Sequence, residues 1–174
     1  MTMFDKAFEL VMINEGGNRP DGGYVADPYD KGGETKYGIS QAAHPDLVIA
    51  ELTMDEAKAI YEKDYWLQNK CDQMPWAIGW VLFDCVVNHN PMDSAKWLQA
   101  AVGVAADGVI GTKTLAAIAK HPEPFNVARD MTLARRDYVE GLHNYDRFKA
   151  GWNRRHLDTL IGAIQWAESS TLAE

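Results

Sequence analysis

Basic residues are in short supply in this chain, with 17 Lys and Arg against 25 Asp and Glu and a formal net charge of -8. Grip on phosphate backbones without sequence preference comes from neutralising phosphates with Lys and Arg, so the balance argues against nucleic acid as a partner. Cysteine is scarcer. Only Cys71 and Cys85 occur, which excludes a disulfide scaffold and a zinc-ribbon spacing. Cys85 falls in an apolar run, where burial is its ordinary role. His44, His89, His121, His143 and His156 are scattered and no His-Glu-x-x-His string occurs. The signature of a metal-dependent amidase or peptidase is therefore missing; each His is expected at the surface or at a cap, and no metal or other cofactor is expected. Long apolar runs are missing too. The longest, about Ile78 to Val87, is too short to cross a bilayer, so no stable membrane insertion is expected. Asp5 and Glu9 stand where a secretory signal would be basic, and the expectation is a chain made in the bacterial cytoplasm without an export signal of its own.

What is present is ordinary for a globular protein. The 174 residues are 47% hydrophobic and 24% charged, and a fold of that length buries roughly two thirds of the surface its unfolded chain exposes. Phe4, Phe8, Val11 and Met12 form one helical stripe that ends at Gly16-Gly17, predicting a helix over about residues 3–15. From Gly16 to Gly38 glycines alternate with Pro20, Pro28 and several Asp, which is turn or short-hairpin chemistry. Thr53 and Glu56 have capping-box spacing and predict a helix to about Trp66. The stretch Trp76 to Val87 is apolar almost all round, predicting a central helix packed on every side. Further helices are expected at about 93–102, 113–120, 126–145 and 153–167, with Pro122 and Pro124 separating two of them. The last two carry stripes through Val127, Met131, Ala134, Tyr138 and Leu142, and through Leu157, Leu160 and Ile164. The fold class expected is mainly α, with a small Gly-rich β-hairpin or loop near residues 22–40.

One acidic residue stands out by position. Glu15 lies eleven positions after Phe4, within roughly 20° of the apolar stripe at about 100° per residue. It also sits in the last helical turn, where the macrodipole disfavours a negative charge. General acid catalysis on a glycosidic oxygen requires a protonated carboxyl in such a setting. Asp27, Asp30 and Thr35 follow in the Gly-rich segment, and paired carboxylates are the minimum equipment of most glycoside hydrolysis. A plainer reading stays open: Glu15 as a surface residue at a helix end, Asp27-Pro28 and Asp30 as turn initiators.

The string Glu15-Gly16-Gly17, followed by Tyr24-Val25-Ala26-Asp27-Pro28-Tyr29-Asp30-Lys31-Gly32-Gly33-Glu34-Thr35-Lys36-Tyr37-Gly38-Ile39-Ser40, resembles glycoside hydrolase family 108. The family comprises N-acetylmuramidases of phages and bacteria with an EGGY motif, whose glutamate is the essential catalytic residue, and a following DPxDxGGxTxxGIT pattern. The likeness continues through Phe83-Asp84-Cys85-Val86-Val87-Asn88, Leu98-Gln99, Asp107 to Leu115 and Phe148 to Arg155. These look like the C-terminal half described in the family as a peptidoglycan-binding region. Packing accounts for the same residues: Asp107-Gly108 as a turn, Thr112 as an N-cap and Trp152 as a core aromatic.

In the family pattern the tyrosine follows the two glycines directly, whereas here Asn18-Arg19-Pro20-Asp21-Gly22-Gly23 intervenes. A rival alignment sets Asp21-Gly22-Gly23-Tyr24 on the motif; Glu15 is preferred because it ends the amphipathic helix as the family's glutamate does. Without the insertion Asp30 would stand nine and Thr35 fourteen positions after Glu15, a spacing similar to that of phage-type lysozymes. The resemblance implies Glu15, Asp30 and Thr35 as catalytic residues, with Asp27 an alternative second carboxylate, and Tyr24, Asp27 and Tyr37 as substrate-binding residues. It also implies a single-domain lysozyme-like α+β fold and an endolysin-type muramidase, monomeric, acting on bacterial peptidoglycan and reaching it through a holin. Residues 1–90 are expected as the catalytic region and 91–174 as the helical binding-like region of the same domain. A lytic transglycosylase and a non-catalytic wall-binding module are the alternatives.

Overall fold

The computed structural model describes residues 1–27 and 32–171, with side chains of the last helix as far as 166. Among the described residues the architecture is mainly helical, with seven α-helices and one two-stranded antiparallel sheet, in keeping with the lysozyme-like class expected. The chain divides into two compact units, Met1–Asp64 and a second from Tyr65 onward.

The first unit opens with α1, Met3–Glu15. Thr2 and Asp5 cap its start reciprocally, and Gly16 ends it in the left-handed region at φ 69°, a conformation glycine adopts without a Cβ penalty. Phe4, Phe8, Val11 and Met12 are all buried, as the stripe predicts. The glycine-rich segment contains β1, Thr35–Lys36, and β2, Ile39–Ser40, paired Thr35 to Ser40 and Lys36 to Ile39. The helix α2, Met54–Ile60, begins at the expected capping box, with Glu56 N–H donating to Thr53 Oγ1 at 3.3 Å and Thr53 N–H to Glu56 Oε2 at 2.9 Å. It runs straight into a π-helical stretch, Tyr61–Leu67, through which the chain passes into the second unit.

There α3, Trp76–Asn88, is buried on every side from Trp76 to Val86. Around it pack α4, Pro91–Ala101, α6, Pro124–Glu140, and α7, Tyr145–Thr171; α5, Thr112–Lys120, lies between the first and second of these in sequence. Both indoles of the first two turns of α3 donate to backbone carbonyls of α7, Trp76 to Gly162 at 3.2 Å and Trp80 to Thr159 at 2.8 Å, which satisfies their only polar atoms inside an apolar core.

The last helices depart from the expected pattern. The chain breaks at Gly141 rather than near 145, and α7 starts at Tyr145 rather than near 153. On α6 the buried face includes Val127, Ala128, Met131, Thr132, Arg135 and Val139, while Tyr138 is exposed. On α7 the expected stripe points largely outward, with Leu157 62% and Ile164 41% exposed; His156, Thr159, Gly162 and Ala163 are buried. The cause is a buried carboxylate, Asp84, that needs polar partners. It accepts from Arg135 Nη1 at 2.6 Å, Arg155 Nη2 at 2.9 Å and Thr159 Oγ1 at 3.0 Å, and a helix supplying such groups turns its polar side inward. His156 is buried and His89 half-buried beside this cluster, and Arg135 Nε donates to His89 Nε2 at 2.9 Å, so these two histidines are interior groups rather than surface ones. Thr112 is the first helical residue of α5 and Gly111 its N-cap. Trp152 is half-buried rather than a core residue. Cys71 and Cys85 are buried free thiols.

Candidate active site

The two central residues of the β1–β2 hairpin, Tyr37 and Gly38, both have positive φ, 53° and 76°, the pattern of a tight type I′ connection whose twist suits the paired strands. Glycine is the favoured residue there; tyrosine is not, and its conformation is held by neighbours. Tyr37 N–H donates to Gly22 O at 2.7 Å, and Tyr61 Oη donates to the Tyr37 carbonyl at 3.0 Å. Tyr61 itself is 1% exposed and packs edge-on against Phe8 of α1 at 5.6 Å. The Tyr37 ring lies over glycines, so that a Cβ at Gly22 would stand 2.5 Å from it and one at Gly17 3.4 Å.

This arrangement brings the hairpin tip against Glu15. A Cβ at Gly38 would lie 3.2 Å from Glu15 Cγ, 3.3 Å from its Cβ and 2.6 Å from Tyr61 Oη. The acid is half-buried at the end of α1, between a helix stopped by Gly16 and a turn that only a glycine permits to come so close. Glycines at 16, 17, 22, 23 and 38, which by composition read as loop, thus make a compact junction in which Gly38 meets the Glu15 side chain and Gly23 its backbone carbonyl. Their clash-free contacts are invisible in composition.

The other expected residues fall into three groups. Tyr37 belongs to the junction just described. Thr35 and Tyr24 lie on the adjoining ribbon: Thr35 and Val25 exchange both backbone bonds at 2.9 Å, and Tyr24 directly precedes Val25. Burial first, and the Glu34 carboxylate second, raise the Tyr24 phenol above its ordinary pKa. Asp27 is exposed, shortly after the Val25–Thr35 bridge. Asp30 lies outside the described residues. Asp21, the rival to Glu15, spends one oxygen on its own turn, Oδ1 accepting from Gly23 N–H at 2.9 Å, and is exposed.

Sequence reasoning missed Tyr61, whose hydroxyl ties the hairpin tip to the π-helical segment by donating to the Tyr37 carbonyl; no local sequence signal marks it. It also quoted Asp84 without seeing that two arginines surround it. Among the described residues no group of three or more His, Cys, Asp and Glu is arranged to hold a metal ion, and no helix is long and apolar enough to cross a membrane. A cavity of about 390 Å³ in the first unit is lined by His44, Asp46, Leu47, Lys63 and Asp64 among others and includes none of the expected catalytic residues.

Comparison with known proteins bears on this geometry. The family model described as Glycosyl hydrolase 108 matches residues 8–89, which contain Glu15 and the hairpin, and one described as Predicted Peptidoglycan domain matches residues 93–157. No curated protein matches the chain. The solved structure of SagA from Brucella abortus is similar to it at 32% sequence identity and a TM-score of 0.78, over 92% of this chain and 93% of that one. With the family match lying over the acid-bearing segment and a relative matched along nearly its whole length, the chain belongs to glycosyl hydrolase family 108 and is an N-acetylmuramidase of bacterial peptidoglycan.

Proposed function

We propose that Glu15 is the general acid with which this muramidase cleaves the β-1,4 bond between N-acetylmuramic acid and N-acetylglucosamine. The carrying observation is the packing of its side chain on Gly38 at the hairpin tip, which fixes one carboxyl at the junction of helix and hairpin. In the proposed reaction the bond from the anomeric carbon to the bridging oxygen breaks, that oxygen takes the Glu15 proton, and water adds at the anomeric carbon. Asp30 is the second carboxylate, activating the water or stabilising the oxocarbenium-like transition state, and Thr35 orients the water. Tyr24, Asp27 and Tyr37 line the sugar groove. The Asp21 carboxylate, bonded within its own turn, supports Glu15 over the rival alignment.

Residues 1–90 carry the catalysis and 91–174 the wall-binding contribution. The enzyme works as a monomer of the phage endolysin type, made in the cytoplasm and released to the wall through a holin. Lysis rates of Glu15→Gln and Asp21→Asn, compared at matched circular dichroism, test the assignment: the first is inactive and the second near normal. An active Glu15→Gln beside an inactive Asp21→Asn would transfer the role to Asp21.

A further inference from the structure

The first turns of α7 carry an aromatic face that the cleavage reaction leaves unused. Tyr145, Phe148 and Trp152 stand at i, i+3 and i+7, which places them on one side of a helix. Their rings contact one another: Tyr145 and Trp152 stack with centroids 6.0 Å apart and 18° between planes, and Phe148 tilts against Trp152 at 5.8 Å. Solvent reaches this face. Phe148 is 44% exposed, Tyr145 and Trp152 are half-buried, and residues 146–151 are all exposed. Clustered apolar surface of this kind marks a binding site more often than scattered exposure does.

The charges beside it run against the chain's balance. In a protein of net charge -8, residues 145–154 expose Arg147, Lys149 and Arg154 against one acid, Asp146, which pairs with Lys149 at 3.1 Å. The Arg147 guanidinium lies over the Phe148 ring, 5.1 Å from its centroid. Aromatic faces flanked by cations complement a polymer that alternates pyranose rings, whose C–H faces are apolar, with peptide carboxylates. The segment also falls inside the residues 93–157 that match the peptidoglycan domain model.

We infer that the Tyr145–Phe148–Trp152 face is a second glycan-binding site, seating a sugar ring of the peptidoglycan strand while Arg147, over the Phe148 ring, meets a carboxylate of its peptides. This rests on peptidoglycan being the substrate. It does not rest on Glu15 being the acid. The test is sedimentation of the Glu15→Gln protein, in which nothing is to be cleaved, with purified insoluble sacculi. Trp152→Ala and Phe148→Ala in that background weaken retention roughly ten- to thirtyfold, as truncation of a binding hot spot does, and Trp152→Phe restores most of it. Arg147→Ala weakens it less, most visibly at low salt. Phe148, being exposed, can be truncated without disturbing the core, so a folded Phe148→Ala with unchanged retention overturns the proposal. So does binding to phosphatidylglycerol vesicles with none to sacculi. Should the Glu15→Gln protein digest the sacculi instead, the acid assignment fails, and the same variants on ice still decide the binding site.

Discussion

In the first unit a carboxylate is positioned by backbone: Glu15 stands at a helix end stopped by Gly16, against a hairpin tip whose Gly38 leaves room for it. In the second unit a carboxylate is positioned by charge: Asp84 is fully buried and answered by Arg135, Arg155 and Thr159. Burial alone would raise the Asp84 carboxyl, and the Arg155 and Arg135 charges and bonds overcome it, holding the group well below the usual carboxylate range. A carboxylate so neutralised and bonded has no proton to give at working pH. Glu15 has a half-exposed setting and glycine neighbours instead, which is what a group that must meet a substrate needs. The pairing of a glycine-rich, open acid with an arginine-clamped, closed one separates the proposed catalytic carboxylate from the structural one by surroundings rather than by residue type.

Substitutions break this comparison at several strengths. Glu15→Gln should cost the most, since general acid assistance is worth about a hundred- to ten-thousandfold, with the melting temperature little changed; turnover of purified peptidoglycan measures it. Asp84→Ala should act oppositely, removing about 3–5 kcal/mol of stability because two guanidinium groups lose their buried counter-charge. Denaturant unfolding reads that loss, and an unchanged midpoint would contradict the structural role. Gly38→Ala falls between the classes, because the added Cβ meets Tyr61 Oη at 2.6 Å and the residue has φ 76°. About 1–3 kcal/mol of backbone strain is expected, together with slower turnover from a displaced Glu15. Equal loss of activity in Gly103→Ala, where a Cβ meets open space at a similarly positive φ of 72°, would show strain alone to be responsible.

The smallest effect concerns pH. Burial, then the Arg135 charge, lowers both His89 and His156 from 6.5 to about 4. A group held neutral in the folded state and free to charge when unfolded contributes its stability above the unfolded pKa and loses it as pH falls toward the folded one. The second unit should therefore weaken between pH 6.5 and about 4, ahead of the loss from Asp84, which sets in as pH falls through the usual carboxylate range and continues below it. His89→Gln should flatten that slope in melting experiments across the interval.

How much of this was legible beforehand follows from the kind of force involved. The range of α1, the Thr53–Glu56 cap and the all-round burial of α3 were readable because local caps and periodicity determine them. The inward faces of α6 and α7 were not. Hydrophobic periodicity assumes apolar residues turn inward, yet Arg135, His156 and Thr159 do so to serve Asp84, leaving Leu157, Ile161 and Ile164 to solvent. The site was legible in part for a similar reason. Glu15 could be picked out as a helix-end acid on an apolar stripe, but its contact with Gly38 joins residues 23 positions apart, and Tyr61, which ties down the turn from further along the chain, has no local signature at all.

Mass spectrometry of peptidoglycan digested by the wild type and by Glu15→Gln decides whether Glu15 is the acid of a hydrolytic muramidase. Fragments with new reducing N-acetylmuramic acid ends are expected from the wild type and none from Glu15→Gln; anhydro-sugar ends from the wild type, or reducing ends from both proteins, would overturn the assignment.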